Sequence, residues 1–363
     1  MKALILAAGY GTRLEPLTLA VPKPMVPIVN LPTMQHNIEL LKKHGCTELV
    51  TNLHYYPEQI ENYFGDGHAF GVNIDYSFED ELLGTAGGVK KMAKIARVKE
   101  TFIVLSSDAL TSINLTRALE YHREKKALAT IALARVNDVR DFGVVLHEQN
   151  GRITGFQEKP EPAVALSDLA NTGIYIFEPE LLEMIPDGFY DFGKQLFPRL
   201  VQDAAPLFGY PMVEYWNDVG GLEKYIQSNY DAMSGALSIN IPGKKVAAST
   251  WVGERESIDP GARFEGAVII GDRCRIGRDV YIKDAVIGDK CVIDDGASVT
   301  GSVVWSDVVV SKGVVVEGAV IGSFSHIGKE SRIAAGTVIA NRAVIRPGQE
   351  VPPHSRVQPD SVF

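Results

Sequence analysis

The chain has 363 residues, of which 45% are hydrophobic and 22% charged, and its formal net charge is −9. This length favours two domains, and the composition is ordinary for a globular protein. The negative charge, with no Lys/Arg-rich run, argues against nucleic acid and anionic membranes as partners. Three cysteines without a CxxC spacing, and no apolar stretch of membrane-spanning length, predict a cytoplasmic protein with free thiols.

Up to about residue 235, short apolar runs rich in β-branched residues alternate with amphipathic stretches. The runs predict strands and the stretches predict helices. Strands that alternate with helices imply an α/β fold, and we predict a Rossmann-like, mostly parallel sheet covered on both faces. The predicted strands are ALILAA (3–8), ELVTNLH (48–54), VNIDYSF (72–78), TFIVLSS (101–107) and ATIALARV (129–136), and the predicted helices include TMQHNIELLKKHG (33–45) and PEQIENYFGDG (57–67).

A glycine-rich stretch, LAAGYGTRLEPLTLAVPKP (6–24), follows the first predicted strand. It lacks the GxxxxGK[ST] pattern of one phosphate-binding loop and the third glycine of the dinucleotide-binding fingerprint. Glycines let backbone N–H groups face an anion without obstruction by side chains. Gly9 and Gly11 with two nearby cations, Arg13 and Lys23, therefore fit a bound triphosphate. The alternative is a tight turn with surface charges.

After about residue 248, aliphatic or aromatic residues recur every six positions, often with a small residue two positions earlier. This period is typical of a left-handed parallel β-helix with hexapeptide repeats. We predict that Cys274 and Cys291 are small inward residues, and that residues 346–363 lose the repeat and cap the last coil. The predicted large inward residues are Val252, Ile258, Phe264, Ile270, Ile276, Ile282, Ile287, Ile293, Val299, Val303, Val309, Val315, Ile321, Ile327, Ile333, Ile339 and Ile345.

The change of period predicts the domain organisation. Residues 1–236 form the predicted catalytic domain, 237–248 a linker, and 249–363 the β-helix with its C-terminal cap. The flat faces and open terminal coil of a β-helix invite packing against another copy. We therefore expect a homo-oligomer, a dimer or a tetramer, formed through the β-helix.

Several motifs occur in the order found in one enzyme family. LAAGxGTRLxPLT…PKP resembles the signature of the sugar-1-phosphate nucleotidylyltransferases, and within that family the chain is most similar to mannose-1-phosphate guanylyltransferases with a C-terminal β-helix. The resemblance implies transfer of a nucleoside monophosphate from a nucleoside triphosphate to a sugar 1-phosphate, with GTP and mannose 1-phosphate giving GDP-mannose as the best candidate. The further matching motifs are LLGTAGG (82–88), VLSSD (104–108), FGVV (142–145), FQEKP (156–160), NTGIYIF (171–177) and YWNDVGG (215–221).

The resemblance also implies residue roles. Arg13 and Lys23 would hold the triphosphate, Asp108 and Asp218 would hold Mg²⁺, and Lys159 would bind the sugar phosphate; these five are the predicted catalytic residues. Taken alone, Asp108 has the alternative of a helix N-cap, for which Asp is a good residue. The implied nucleotide-binding residues are Leu6, Ala7, Ala8, Gly9, Gly11, Thr12, Arg13, Lys23, Glu79, Gly84 and Thr85. The implied sugar-phosphate-binding residues are Gly143, Glu158, Lys159, Asn171 and Thr172.

The base and the sugar leave alternatives open. A carboxylate only accepts hydrogen bonds and guanine offers two adjacent donors, so we hypothesise that Glu79 favours guanine. Glucose 1-phosphate with UTP, dTTP or ATP is the runner-up. Two other functions are a non-catalytic regulatory homologue and a β-helix that is also an acyltransferase. Acyl transfer usually needs a histidine base, and only His326 and His354 lie in the β-helix half.

Overall fold

The computed structural model describes all 363 residues, which divide into two compact units. The first unit comprises Met1–Tyr10 and Met34–Asp218, and the second comprises Gly11–Thr33 and Val219–Phe363. The β-helix thus shares its unit with the segment Gly11–Thr33, while the domain boundaries given above stay a prediction. No helix is both long enough and apolar enough to cross a membrane.

The chain contains six α-helices, several short 3₁₀ turns and many short strands. The helices are α1 (Thr33–Lys43), α2 (Pro57–Phe64), α3 (Gly84–Ala96), α4 (Leu115–Glu124), α5 (Phe197–Gln202) and α6 (Leu222–Ser234). The strands before α6 are β1 (Lys2–Leu6), β2 (Pro27–Ile28), β3 (Leu31–Pro32), β4 (Glu48–Leu53), β5 (Asn73–Phe78), β6 (Phe102–Ser106), β7 (Ala109–Thr111), β8 (Ala129–Arg135), β9 (Gly143–His147), β10 (Ile153–Glu158), β11 (Leu169–Phe177), β12 (Leu207–Pro211) and β13 (Trp216–Asp218).

The strands after α6 form the β-helix and its entry. They are β14 (Lys244–Ala247), β15 (Thr250–Val252), β16 (Ser257–Ile258), β17 (Arg263–Ile270), β18 (Arg275–Ile276), β19 (Tyr281–Ile287), β20 (Val292–Ile293), β21 (Ser298–Thr300), β22 (Val303–Val304), β23 (Val309–Val310), β24 (Val315–Glu317), β25 (Val320–Ile321), β26 (His326–Ile327), β27 (Arg332–Ile333), β28 (Val338–Ile339), β29 (Val344–Ile345), β30 (Glu350–Val351) and β31 (Arg356–Val357). The predicted linker contains β14, which pairs antiparallel with β15.

The main sheet of the first unit is covered on both faces. Successive residues of a strand face opposite sides of the sheet, and Ala3, Leu4 and Ile5 of β1 are all fully buried. All five predicted strands are present, with ends that differ from the prediction by one or two residues. The short apolar runs thus identified the strands, and the lack of alternation in ALILAA (3–8) marked β1 as buried on both faces.

The sheet mixes parallel and antiparallel pairs: β1, β4, β5 and β6 are parallel, β11 is antiparallel to its neighbours, and β12 is parallel to β8. Its order is β10-β9-β11-β6-β1-β4-β5, with β8 pairing β11 and β12. Strand β6 is parallel to β1, whereas β11 runs antiparallel to β6, β8 and β9. The predicted Rossmann-like α/β fold is confirmed, but the sheet is mixed rather than mostly parallel. The antiparallel pairs centre on β11, which lies beside β6, β8 and β9, and on the hairpin of β9 and β10.

Coils of the β-helix stack so that each inward side chain lies on its equivalent in the next coil. Ile276 pairs in register with Ile293, and Ile327 with Ile345. Cys274 and Cys291 are buried free thiols in this core, as the repeat predicted. Each coil therefore closes one layer of a continuous apolar column.

One stretch of the predicted repeat was wrong by one position. Val303, Val309 and Val315 were expected to face inward, but the fully buried core residues there are Val304, Val310 and Val316. Valine precedes valine at each of these positions, so the sequence pattern does not mark the inward residue. A shift of one residue in a strand moves the side chain to the opposite face.

The C-terminal residues continue the β-helix, contrary to the prediction that they lose the repeat. Strand β30 pairs with β27, and β31 pairs with β28. Val351 and Val357 are buried in the same core, six positions apart. The prolines between them occupy the turn, where a missing N–H breaks no ladder hydrogen bond.

The corrected repeat makes a prediction about stability. Val310→Ala removes two methyl groups from a fully buried position and should lower the free energy of unfolding by about 2 kcal/mol. Val309→Ala is the matched control, since this neighbour is only half-buried, and it should cost clearly less. Urea unfolding followed by circular dichroism measures both. Equal losses would contradict the inward assignment of Val310.

Candidate active site

The carboxyl ends of four parallel strands meet at one edge of the first unit's sheet. Leu6 of β1 pairs in register with Asn52 of β4 and with Ser106 of β6, and Asn52 pairs with Ser77 of β5. Ligands of open α/β sheets bind beyond such carboxyl ends. The predicted site residues that follow these strands within a few positions are Ala7, Ala8, Gly9, Glu79 and Asp108.

The glycine-rich loop begins at this edge. Ala7 and Ala8 are buried, whereas Gly9 is exposed, and a Cβ added to Gly9 would meet no atom within 4 Å. The backbone at Gly9 thus faces open space. A phosphate group could approach it closely, which is the expected use of a glycine in this loop.

A chain of buried hydrogen bonds connects this loop to the start of α3. The Ala7 N–H donates to Asn52 Oδ1 at 2.7 Å, and Asn52 Nδ2 donates to Glu79 Oε1 at 2.8 Å. The other oxygen of Glu79 accepts from the Leu83 N–H at 2.9 Å. Glu79 is only 5% exposed. Both carboxylate oxygens of Glu79 thus accept hydrogen bonds from within the protein. The sequence did not suggest this structural role.

Gly84 and Thr85 are the first residues of α3 and contact the segment 190–192. Gly84 has φ 71°, and a Cβ there would lie 2.6 Å from the Tyr190 carbonyl oxygen. The Thr85 hydroxyl donates to Asp191 Oδ2 at 3.0 Å and accepts from the Phe192 N–H at 2.8 Å. These contacts require glycine at position 84 and fix the first turn of α3.

Asp108 and Asp218 are brought together by a two-stranded antiparallel pair. Strand β13 pairs with β7 so that Asp218 lies opposite Ala109, the residue after Asp108. Asp218 is 8% exposed and Asp108 is half-buried. Ser106 Oγ donates a 2.5 Å hydrogen bond to Asp108 Oδ1. The pairing makes two residues that are distant in the sequence neighbours in space.

Gly143, Glu158 and Lys159 lie on a second part of the same unit. Gly143 pairs in register with Glu158 across β9 and β10, and a Cβ at Gly143 would lie 3.1 Å from Glu158 Oε2. The Lys159 N–H donates to the Phe142 carbonyl at 3.0 Å, and Lys159 has φ 47°. Both charged side chains are exposed, so they are available to a ligand.

Asn171 and Thr172 occupy the start of β11, which runs antiparallel to β6. Asn171 Oδ1 accepts from the Gly173 N–H at 3.0 Å, and a Cβ at Gly173 would lie 3.0 Å from Ser106 Cβ. The Thr172 hydroxyl donates to the Ala132 carbonyl at 2.7 Å, while its own carbonyl accepts from Trp216 Nε1 at 3.0 Å. The antiparallel direction therefore places these residues near the end of β6.

Tyr175 of β11 is a buried phenol in the core of the first unit. Burial raises the pKa of its phenol, and the charges of Asp191, Asp108 and Glu158 raise it further, against a hydrogen bond with Asn171. The phenol therefore stays neutral.

The remaining predicted residues belong to the second unit. Gly11 has φ 72°, and a Cβ added there would lie 2.9 Å from Lys23 Cβ, so glycine allows Lys23 to pack against the loop. The Thr18 hydroxyl donates to the Gly11 carbonyl at 2.9 Å. Thr12 and Arg13 are exposed, whereas Lys23 is 9% exposed. The glycine-rich stretch thus folds so that Gly11 and the side chain of Lys23 are in contact.

The structure adds three residues that the sequence did not single out, namely Asn52, Asp191 and Trp216. Asn52 had a usable signal, because a polar residue near the carboxyl end of a buried parallel strand faces the ligand edge. Asp191 and Trp216 had no such signal in the sequence, because their hydrogen-bond partners, Thr85 and Thr172, are more than forty residues away. No group of three or more His, Cys, Asp or Glu side chains is arranged to hold a metal ion.

These features define a nucleotide-binding type of α/β domain followed by a β-helix. The model of the Nucleotidyl transferase family matches residues 2–235, and that of the EIF2B subunit epsilon LbH domain matches residues 248–351. The chain therefore belongs to the nucleotidyl transferase family, and the predicted resemblance is confirmed.

Named relatives cover most of the chain. A UTP–glucose-1-phosphate uridylyltransferase of Synechocystis sp. is 42% identical over 297 residues, covering 78% of this chain and 76% of the relative. A mannose-1-phosphate guanylyltransferase of Mycobacterium tuberculosis is 34% identical over 286 residues, covering 74% and 79%. A crystal structure of a protein assigned as a glucose-1-phosphate thymidylyltransferase from Bacillus anthracis has a TM-score of 0.58 at 26% identity, covering 66% of this chain and 96% of that one.

Glu79→Gln tests the hydrogen-bond chain. Glutamine has one oxygen, so its NH₂ group must face a donor, either Asn52 Nδ2 or the Leu83 N–H. We expect the free energy of unfolding to fall by about 1–3 kcal/mol. Glu48→Gln is the matched control, because Glu48 is exposed and bonds only the Asn73 side chain at the surface. If Glu79→Gln cost no more than Glu48→Gln, the internal role of Glu79 would be refuted.

Proposed function

We propose that the chain is an enzyme that transfers a nucleoside monophosphate from a nucleoside triphosphate to a hexose 1-phosphate. An oxygen of the sugar phosphate attacks the α-phosphorus, the bond from that phosphorus to the bridging oxygen breaks, and pyrophosphate leaves. The observation that carries the proposal is the shared edge of the parallel strands, where the glycine-rich loop follows β1, Glu79 follows β5 and Asp108 follows β6. Such a reaction needs positioning and charge neutralisation rather than a covalent intermediate.

Asp108 and Asp218 are proposed to hold Mg²⁺. The ion prefers oxygen ligands and takes few of them from protein, with the others from phosphate and water, so two carboxylates fit it. When bound, Mg²⁺ supplies positive charge to the phosphate groups. The pairing of β13 with β7, which sets Asp218 opposite the residue after Asp108, supports this role.

The cationic side chains have separate proposed tasks. Arg13 holds the triphosphate and steadies the leaving pyrophosphate, Lys23 neutralises the α-phosphate, and Lys159 binds the phosphate of the sugar. Backbone N–H groups of the glycine-rich loop contribute further donors. The resemblance to the family, and the exposure of Arg13 and Lys159, support these roles.

Sugar hydroxyls are proposed to meet Glu158, Asn171 and Thr172, with the Gly143 backbone beside them. The pairing of β9 with β10, and of β9 with β11, places these residues on adjacent strands. Carboxylate, amide and backbone groups together offer the mixed donors and acceptors that a hexose requires.

GTP with mannose 1-phosphate is the first candidate pair. Relatives named mannose-1-phosphate guanylyltransferase come from a bacterium, rice, a fly and a yeast, at 33–35% identity. The idea that Glu79 favours guanine stays a prediction. Its two internal hydrogen bonds leave it fewer free lone pairs for a base, which weakens this support for GTP.

UTP with glucose 1-phosphate is the second candidate pair. The relative that carries these substrates in its name is 42% identical, against 33–35% for the relatives named as guanylyltransferases. Mannose and glucose differ only in the stereochemistry at C2, so the two pairs need the same catalytic groups.

The β-helix is proposed to carry a homo-oligomer, a dimer or a tetramer, and the enzyme to work in the cytoplasm. The match of residues 248–351 to an LbH domain supports a role of this part in assembly. His326 donates or accepts a hydrogen bond with Ser311 at 3.0 Å, which gives acyl transfer no specific support.

Pyrophosphate release with Mg²⁺ tests the proposal. GTP, UTP, dTTP, ATP and CTP are each combined with mannose 1-phosphate and with glucose 1-phosphate. We expect one pair to exceed the others by at least about tenfold in kcat/KM, and removal of Mg²⁺ by a chelator to abolish release. Folded protein that releases pyrophosphate with no pair would instead favour a regulatory homologue.

The same matrix tests base reading by Glu79. Glu79→Gln should reduce the preference for GTP over UTP if the carboxylate accepts from guanine. An unchanged preference, together with reduced stability, would leave Glu79 with its internal role alone.

A further inference from the structure

A strained hairpin ends the segment that carries Arg13 and Lys23. Strands β2 and β3 pair antiparallel and are joined by the two residues Val29 and Asn30, with φ 44° and 71°. A two-residue hairpin turn favours positive φ at both positions, where asparagine and glycine are common. A β-branched valine is rare in this conformation, and such strain persists only where neighbouring groups hold it.

Helix α6 supplies the first of these neighbours. Asn229 Oδ1 accepts from the Val29 N–H at 2.8 Å, and the Tyr225 hydroxyl donates to the Pro27 carbonyl at 2.8 Å. Both side chains are fully buried. Buried polar groups with fixed partners give a single well-defined geometry.

The β-helix supplies the second. Trp305 Nε1 donates to the Tyr225 hydroxyl at 2.8 Å, and Asn30 Nδ2 donates to the Ile287 carbonyl at 2.8 Å. Ile287 pairs with Val304, so the two contacts come from adjacent coils of one face. The hairpin is therefore bonded to α6 and to the β-helix at the same time.

The hairpin in turn fixes the turn that holds Lys23. The Val26 N–H donates to the Lys23 carbonyl at 3.1 Å, and Val26 O accepts from both the N–H and the hydroxyl of Thr33, at 3.0 and 2.7 Å. Lys23 also packs against Gly11. Displacement of the hairpin would therefore displace Lys23 and the glycine it touches.

We propose that the β-helix positions the nucleotide-binding segment, with Trp305, Tyr225 and Asn30 as positioning residues. This inference rests on the proposed function, in which Arg13 and Lys23 hold the triphosphate. The β-helix then contributes to nucleotide affinity within one chain, in addition to any part it has in assembly. The sugar 1-phosphate, bound through residues of the first unit, should be little affected.

Three conservative variants test the proposal in the full-length protein. Tyr225→Phe removes the hydroxyl shared by Pro27 and Trp305, and Trp305→Phe removes only the indole N–H with part of the ring. Asn30→Gly keeps a residue suited to positive φ and deletes the amide that binds Ile287. Trp251→Phe is the matched control, because Trp251 stacks with Lys245 and makes no bond to the hairpin.

The expected result is a split between kinetic constants. KM for the nucleoside triphosphate should rise about tenfold in Tyr225→Phe and by a smaller factor in the other two variants, corresponding to the loss of about one hydrogen bond. KM for the sugar 1-phosphate should stay within about twofold in all variants. Hydrogen exchange of residues 25–33 should become faster in the three variants and remain unchanged in the control.

Each outcome decides the proposal. An active wild type whose variants keep their nucleotide KM would overturn it, even if hydrogen exchange became faster, because the bonds would then be merely structural. If Tyr225→Phe or Trp305→Phe fails to fold, Asn30→Gly still tests the proposal, because Asn30 lies in a partly exposed turn. Wild-type protein without turnover would contradict the proposed function but not this inference. The inference would then be tested by calorimetry, with the affinities of the wild type and the variants for GTP and UTP in place of KM. Wild-type protein that binds neither nucleotide would overturn both.

Discussion

The pairing of β13 with β7 is the constraint on which the proposed chemistry depends. These are two three-residue strands far apart in the sequence, and their register sets Asp218 opposite the residue that follows Asp108. Each aspartate alone would be an ordinary polar residue at the end of a strand. In the proposed function, these two side chains together offer the oxygen donors that Mg²⁺ takes from protein.

The directions of the strands bring the other predicted site residues of the first unit towards the same edge of the sheet. Parallel strands end at one edge, so a glycine-rich loop and the Glu79 turn become neighbours without any local signal. The antiparallel β11 then brings Asn171 and Thr172 to the end of β6. This placement requires the antiparallel direction of β11. If β11 were parallel to β6, its first residues would lie at the amino end of β6, away from the glycine-rich loop.

Sequence patterns predicted what depends on neighbours along the chain. Strands buried on both faces, the six-residue period and the glycine-rich loop all follow from local apolar patterns and turn residues. The phase at Val304, Val310 and Val316 could not be predicted, because adjacent valines are equivalent in sequence and differ only once a coil has closed.

Contacts between distant residues explain what the sequence missed in the site. Asn52 and Glu79 are recognisable as polar residues at the carboxyl ends of strands, but their mutual hydrogen bond depends on the register of β4 and β5. The same holds for Tyr225 and Trp305, whose hydrogen bond joins α6 to the β-helix across eighty residues of sequence. The strained φ of Val29 has no sequence signature at all, since valine would not be chosen for that turn.

A double-mutant cycle on Asp108 and Asp218 tests the central claim most directly. Asp108→Asn, Asp218→Asn and the double variant are compared in kcat/KM at saturating Mg²⁺, with Asp75→Asn, an exposed aspartate of β5, as control. If both carboxylates hold one metal ion, each single change should cost about 10²-fold or more and the double change scarcely more than either. Fully additive losses, or a single variant with wild-type activity, would contradict the account.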